Sequence, residues 1–279
     1  MSALDTQANT ARLRAFLRRS CARGDAGLDA VEPDGRVTAL IYFFWKQDTA
    51  QQVWPEFAGA ILETWRNCGR LKTVIVVNRR HACVESFASQ FSNVEIQEEE
   101  SLVPGDITTM SRDCNARLWK RFDTEYVLVI QNDGFPLRPG LKEFVDMRYD
   151  FIGSPHCRPL FIPDLLTRIL RYCPTCGGFS MRTRRLCILA AQLWAERGYE
   201  NKPWVDTEMA EDYFFTHTLP RSGLRYWLRR NQAPSKVSDL FSFGGLFDFV
   251  QKDMPFGFHT ANGFAEIARR FNITTCGAF

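Results

Sequence analysis

Apolar positions along the first half of the chain follow two alternating patterns. Residues 37–45 (VTALIYFFW) form a β-rich apolar run of strand type. Residues 49–68 follow with Val53, Phe57, Ile61, Leu62 and Trp65 at helical spacing. Residues 71–78 (LKTVIVVN) repeat the strand pattern, 82–91 predict a short helix, and 94–97 predict a weaker strand. Residues 110–122, capped by Ser111, predict a helix leading into 126–130, a short run without Gly or Pro that suits a strand buried on both faces. Such alternation implies a parallel sheet with right-handed crossovers. The last strand stops at Gln131, Asn132 and Asp133, after which Gly134 and Pro136 turn the chain. Strand carboxyl ends in an open α/β sheet border the ligand crevice, so polar groups at this edge are placed for chemistry.

The second half is less regular. Residues 139–144 suggest a short helix with Pro near its start, 149–154 (YDFIGS) a strand, and 164–172 an amphipathic helical turn beyond a Pro-rich stretch. Residues 177–181 (GGFSM) read as a turn whose two glycines let backbone approach a ligand. Thr183 opens a helix to about Arg197. Residues 208–219 (EMAEDYFFTHTL) predict a helix carrying the adjacent acids Glu211 and Asp212. Consecutive helical side chains point about 100° apart, so at most one of the two aims squarely into a site while the other caps or pairs nearby; a solvated face is the plain alternative. Residues 254–259 (MPFGFH) exclude a regular helix and end in a ring nitrogen suited to a metal. Near the start, residues 10–23 place Leu13, Phe16 and Leu17 on one face with five arginines around it. Two readings stand there, a membrane-surface helix and a helix laid on the domain. Residues 24–35 read as a linker.

With 279 residues, 45% of them hydrophobic, the chain can bury a sizeable core. A net charge of +3 falls short of the basic stripe that nucleic acid would require, but suits a phosphate-bearing small molecule. There is no apolar run of about 20 residues and no secretory pattern, so a soluble, cytoplasmic protein is expected. Nine scattered cysteines indicate reduced thiols. Cys173 and Cys176 form a CxxC, either a redox pair or half a zinc site completed by Cys157 and His156, against plain loop cysteines. The run Glu98, Glu99 and Glu100 reads as solvated. Without GxGxxG or a Walker loop, Rossmann dehydrogenases and P-loop enzymes drop out. A class that holds a diphosphate through a metal at the end of a central strand remains.

The order QND, YDFIGSP, GGFSMR, EDYFF and PFGFH resembles a family of glycosyltransferase-like proteins, long filed as a domain of unknown function, whose members look like GT-A enzymes. The resemblance runs from about Val37 to His259 and is specific in its second half. It implies a GT-A-like α/β domain with a central, mostly parallel sheet flanked by helices. In that family a Gln-x-Asp ends the strand, matched by Gln131, Asn132 and Asp133. Three departures bear on substrate identity, and loss of activity is another outcome they allow. Thr175 and Cys176 precede Gly177 and Gly178 where the family has Asn-Gly-Gly, Phe241 to Gly244 replaces an aromatic-x-x-Glu stretch, and His156 stands where a tryptophan is common.

The implied activity is a metal-dependent, hexosyltransferase-type transfer from a nucleotide-sugar donor to a glycan or lipid-linked acceptor, as in polysaccharide biosynthesis. Asp133 and His259 are the candidate ligands for Mn²⁺ or Mg²⁺. Gln131, Asn132, Asp133, Arg112 and Arg117 are candidate donor contacts, although a solvated helix face explains the two arginines equally well. Gly177, Gly178, Phe179 and Ser180 are the candidate acceptor contacts. For an inverting reaction Asp212 is the candidate general base, oriented by Glu211. The expected organisation is an arginine-rich helix and linker over 1–35 and the transferase domain over 36–279, with a nucleotide half at 36–133 and an acceptor half at 134–279. Residues 10–23 are the candidate peripheral membrane contact. A nucleotidyltransferase of similar fold and a non-catalytic carbohydrate-binding module are the alternatives.

Overall fold

The computed structural model describes residues 3–155, 175–222, 233, 235–243 and 253–273. Strand β1 (Val37–Phe43) lies beside β2 (Lys72–Val77) and β4 (Tyr126–Val129), and β3 (Val94–Glu98) beside β2, all parallel. Strand β6 (Thr175–Thr183) runs antiparallel between β4 and β5 (Phe151–Pro155). The sheet order is β3-β2-β1-β4-β6-β5, the central, mostly parallel arrangement that the resemblance implies.

Successive side chains of a strand point to opposite faces, and helices cover both. Ala39, Ile41 and Phe43 of β1 pack with helices α2 (Gln47–Cys68) and α3 (Ala82–Ala88) on one face. Leu40 and Tyr42 pack with α4 (Ile107–Arg117) and α6 (Arg184–Glu196) on the other, while α5 (Leu141–Asp146) lies with the first cluster. The cap of α4 is Asp106, whose carboxylate accepts the Thr108 N–H at 2.9 Å; Ser111, the expected cap, is buried within the helix. Thr183 caps α6 by accepting the Leu186 N–H.

Helix α1 (Ala3–Arg23) lies against α2 and the C-terminal helix α8 (Ala261–Arg270), after α7 (Ser235–Phe241). Leu13 and Leu17 are buried, Phe16 packs on Phe135 and Phe264, and Arg14 and Arg18 pair with Glu56 of α2. The apolar face is therefore inside the protein, and the packing is that of a helix laid on the domain. This corrects residues 10–23 as a membrane-surface helix, since no apolar face is left for lipid. Among the described residues no helix is long and apolar enough to cross a membrane.

Residues 177–181 are part of a strand and not the expected turn, because the glycines hide the period of two. Phe179 and Met181 point to the α2 side, and Ser180 and Arg182 occupy the alternate positions. Glu99, expected to be solvated, is held by Arg117, Arg121 and Ser101. Cys21, Cys68, Cys83, Cys114 and Cys187 are free thiols. His156, Cys157, Cys173 and the helical turn at 164–172 lie outside the described residues.

Candidate active site

The chain leaving β4 folds back at once. Gln131 N–H donates to Gly134 O at 2.8 Å and Gly134 N–H to Gln131 O at 3.2 Å, which puts Asn132 and Asp133 at the tip of a tight turn. The returning segment bonds to the PFGFH stretch, with Leu137 N–H to Phe256 O at 2.8 Å and Phe258 N–H to Phe135 O at 3.4 Å. Phe135 and Phe258 meet edge to face at 4.7 Å beneath it. Strand β8 (Gly257–Phe258) pairs with β7 (Ser242–Phe243), and His259 N–H donates to Phe243 O. Two segments 126 residues apart are thereby joined, and His259 Nε2 comes to 4.0 Å from Asp133 Oδ1. The Asp133 side chain is 41% exposed and that of His259 14%.

Thr260 fixes the same junction from the backbone. Its φ is +78°, a strained value for a β-branched residue, yet its N–H donates to Asp133 O at 2.7 Å and its hydroxyl accepts the Gly263 N–H at the start of α8. Nothing in the sequence pattern announces this. Gly178 packs from the other side. A Cβ there would collide with His259 Nε2 and Gln131 Oε1, so the bare backbone lets both side chains close on β6.

The sheet order reverses between β1 and β4, and the crevice over such a switch point is where open α/β sheets take ligands. Gln131, Asn132 and Asp133 border it from β4. Half-buried Trp45, edge-on to Phe57, and exposed Lys46 border it from β1. These two lie at the end of a recognised strand, and their position becomes meaningful only once the strand order is known.

The acidic pair does not lie on one continuous helix. A helical turn at Asp206–Met209 breaks at Ala210, a second turn covers Glu211–Tyr213, and a π-helical segment, Phe214–Thr218, follows. Single π turns recur at functional sites. The two acids part company here. Glu211 is buried and pairs with Arg182, filling the space that a Cβ on Gly177 would occupy. Asp212 is half-buried, and its Oδ1 accepts the Tyr213 N–H at 2.8 Å.

Four expected contacts take other roles. Phe179 is fully buried and stacked on Phe241 at 4.8 Å, and Ser180 Oγ donates to Gly177 O at 2.8 Å inside the core, so neither faces an acceptor. Arg112 donates to the carbonyls of Tyr199, Glu200 and Lys202 and lies over the Trp204 ring. Arg117 pairs with Glu99, Asp113 and Glu200. Both arginines stitch α4 to its neighbours, which takes them out of the donor site. Arg182, by contrast, was missed; the signal was a lone arginine sharing a strand face with Ser180.

A family model matches residues 102–259, more than half of the chain. The chain belongs to the family described as a protein of unknown function, DUF5672. The matched span of this DUF5672 chain takes in the β4 turn, β6 and the acidic pair, and it closes on His259. No curated protein matches the chain. Among solved structures it is similar to S. aureus TarS residues 1–349, with 14% identity and a TM-score of 0.42 over 85% of this chain and 64% of that one. It is also similar to the mannosyltransferase PcManGT from Pyrobaculum calidifontis in complex with GDP-Man and Mn²⁺, with 14% identity and a TM-score of 0.36 over 80% of this chain and 69% of that one. These likenesses stay at the level of the fold, and the DUF5672 chain spans 64% of the length of the TarS structure.

Proposed function

We propose that this chain is a glycosyltransferase that moves a sugar, of hexose type, from a nucleotide diphosphate donor to a hydroxyl of a glycan or lipid-linked acceptor. The observation that carries the reading is the junction of Asp133 with His259 at the carboxyl end of β4, on the switch point of the sheet. In this reading residues 36–133 supply the donor half, joined at the metal by His259 from the acceptor half, 134–279.

The donor atoms fit a divalent cation. Ligand bonds of about 2.0–2.1 Å let two ligands stand up to roughly 4.2 Å apart, and Asp133 Oδ1 and His259 Nε2 are separated by 4.0 Å. One carboxylate with one imidazole suits Mn²⁺ or Mg²⁺. Among the described residues no group of three or more His, Cys, Asp or Glu forms a metal cluster; in this reading diphosphate and water would complete the shell. When bound, such an ion offsets the charge of the departing diphosphate.

The other steps belong to the chain's own groups. Gln131 and Asn132 would hydrogen-bond the ribose or donor sugar. Asp212 would take the acceptor hydroxyl proton as that oxygen bonds to the anomeric carbon and the carbon–diphosphate bond breaks, its electron pair leaving with the diphosphate. The experiment is release of nucleoside diphosphate from a panel of nucleotide sugars, with Mn²⁺ and an oligosaccharide mixture. One donor should turn over, and Asp212→Asn should lower the rate by about 10² to 10⁴. Equal rates in wild type and Asp212→Asn would remove the base. A panel without any turnover would favour the carbohydrate-binding module, and release of inorganic pyrophosphate from a nucleoside triphosphate and a sugar phosphate would mark a nucleotidyltransferase.

A further inference from the structure

Arg182 is the most deeply buried charge in the described residues that the mechanism above leaves unused. Its side chain is fully inside the protein, between the rings of Phe151 and Phe215, whose centroids lie 5.3 and 4.5 Å from the guanidinium carbon. It donates to Ser180 Oγ from Nε at 3.1 Å and from Nη2 at 3.0 Å, and from Nη2 to Gly177 O at 3.2 Å. Nη2 also forms the ion pair with Glu211 Oε1, while Nη1 and Glu211 Oε1 have no hydrogen-bond partner among the described residues. Taking an arginine and a glutamate out of water costs several kcal/mol per ion, and an incompletely bonded pair recovers that poorly. A stay for the fold alone would be better served by apolar side chains.

The local geometry gives the pair a different use. Gly177 has no side chain, and the Glu211 carboxylate sits against its backbone. The neighbouring residue, Asp212, remains half-buried, and of its two oxygens only Oδ1 accepts a described donor, the Tyr213 N–H. Burial pushes the Arg182 guanidinium down from its ordinary value, and Asp212 is among the groups whose charge opposes that, so the two lie within electrostatic reach. Two adjacent carboxylates facing one cavity would share a proton, and one of them would be poorly ionised near neutral pH.

We infer that Arg182 is a positioning residue that splits the acidic pair: it neutralises Glu211 inside the core and leaves Asp212 as the one carboxylate of the pair presented to the crevice. The inference rests on the reading of Asp212 as the base and adds the device that makes this carboxylate, and not its neighbour, the base. The titratable and charged groups facing Arg182 are Glu211 and Asp212 from the turn before the π segment, Tyr42 from β1, Cys114 from α4 and Cys187 from α6. Cys114 and Cys187 are pushed up to about 12 by burial, and burial also raises Tyr42. All three stay neutral over the range in which a carboxylate titrates.

The test is a ¹³C carboxylate titration of the full chain, with the Asp212 signal assigned by its loss in Asp212→Asn. Glu211→Gln removes the negative neighbour and leaves the Arg182 charge to Asp212, so the midpoint should fall. Arg182→Met removes the positive neighbour, so the midpoint should rise. Arg182→Lys should return it toward wild type. Should Arg182→Met fail to fold, Glu211→Gln and Arg182→Lys still decide the matter. A midpoint that is the same in Glu211→Gln as in wild type overturns the inference, as does a shift of equal size in Arg182→Lys and Arg182→Met. The acid limb of nucleoside diphosphate release from UDP-glucose and GDP-mannose should move in the same directions. Titration shifts as stated in a protein that releases no diphosphate would overturn the functional reading and leave the partition of charge standing.

Discussion

Two arginine–carboxylate clusters are buried on the same face of the sheet, and they are built differently. Around Asp113, every carboxylate oxygen is used: Tyr42 OH donates to Oδ2 at 2.7 Å, Arg121 reaches both oxygens, and the same arginine bridges to Glu99 at 2.6 Å. Ser101 and Arg117 close the network on Glu99. Around Arg182 the bonding is left open, at a strand that carries Gly177 and Gly178 and next to a π-helical turn. A complete polar network specifies and rigidifies a core, whereas an incomplete one is a departure from consistency of the kind that collects at functional sites. The difference marks the first cluster as a strut between β1, α4 and the loop after β3, and it agrees with the proposed place of the second at the site.

The largest effect expected from this contrast is on the strut. Asp113→Ala leaves Arg121 and Tyr42 facing an empty partner and should cost about 3–5 kcal/mol in urea unfolding. Its loss should exceed that of Glu211→Gln, whose Arg182 keeps Ser180 and Gly177; the reverse order would break the comparison. A smaller effect belongs to Gly177→Ala. The added methyl must displace the Glu211 carboxylate, at about 1–3 kcal/mol for overpacking, and Asp212-dependent turnover should fall with it. Unchanged stability and turnover would mean that Glu211 is not seated there.

The smallest effect is on acid stability. Burial alone would raise the Glu99 carboxyl, but Ser101, Arg121 and Arg117 outweigh it and hold it at about 2, against an ordinary 4.5. A lowered carboxylate contributes stability that is complete above the unfolded value and is lost as pH falls toward the folded one. Wild type should therefore lose stability between about pH 4.5 and 2 more steeply than Glu99→Gln, whose amide does not titrate. Parallel urea midpoints across that window would contradict the network.

The same contrast separates what could be read in the sequence from what could not. Strands β1, β2 and β4 were legible because burial on both faces demands an unbroken apolar run, and the helices between them because one stripe faces the sheet. Strand β6 was hidden, since Gly177 and Gly178 carry no pattern and Ser180 and Arg182 look polar. The continuous helix expected over 208–219 missed the break at Ala210 because nothing in its composition forbids helix there. Asp133 and His259 were paired only through the family resemblance, and their approach depends on the backbone bonds of 133–137 and 256–260. Arg112 and Arg117 were misjudged because a helix arginine reads the same whether it meets solvent, a phosphate or, as here, carbonyls and carboxylates of the same chain.

Whether a diphosphate is held at the Asp133–His259 junction is decided by thermal unfolding against nucleoside diphosphates and their sugar conjugates, each with Mn²⁺, with Mg²⁺ and with chelator. A ligand that binds only the folded protein at 100 times its dissociation constant adds about 2.7 kcal/mol. One nucleotide should raise the midpoint only with metal, and the rise should disappear in Asp133→Ala and in His259→Ala. No rise with any nucleotide, or a rise that survives both substitutions, would contradict a diphosphate at that junction.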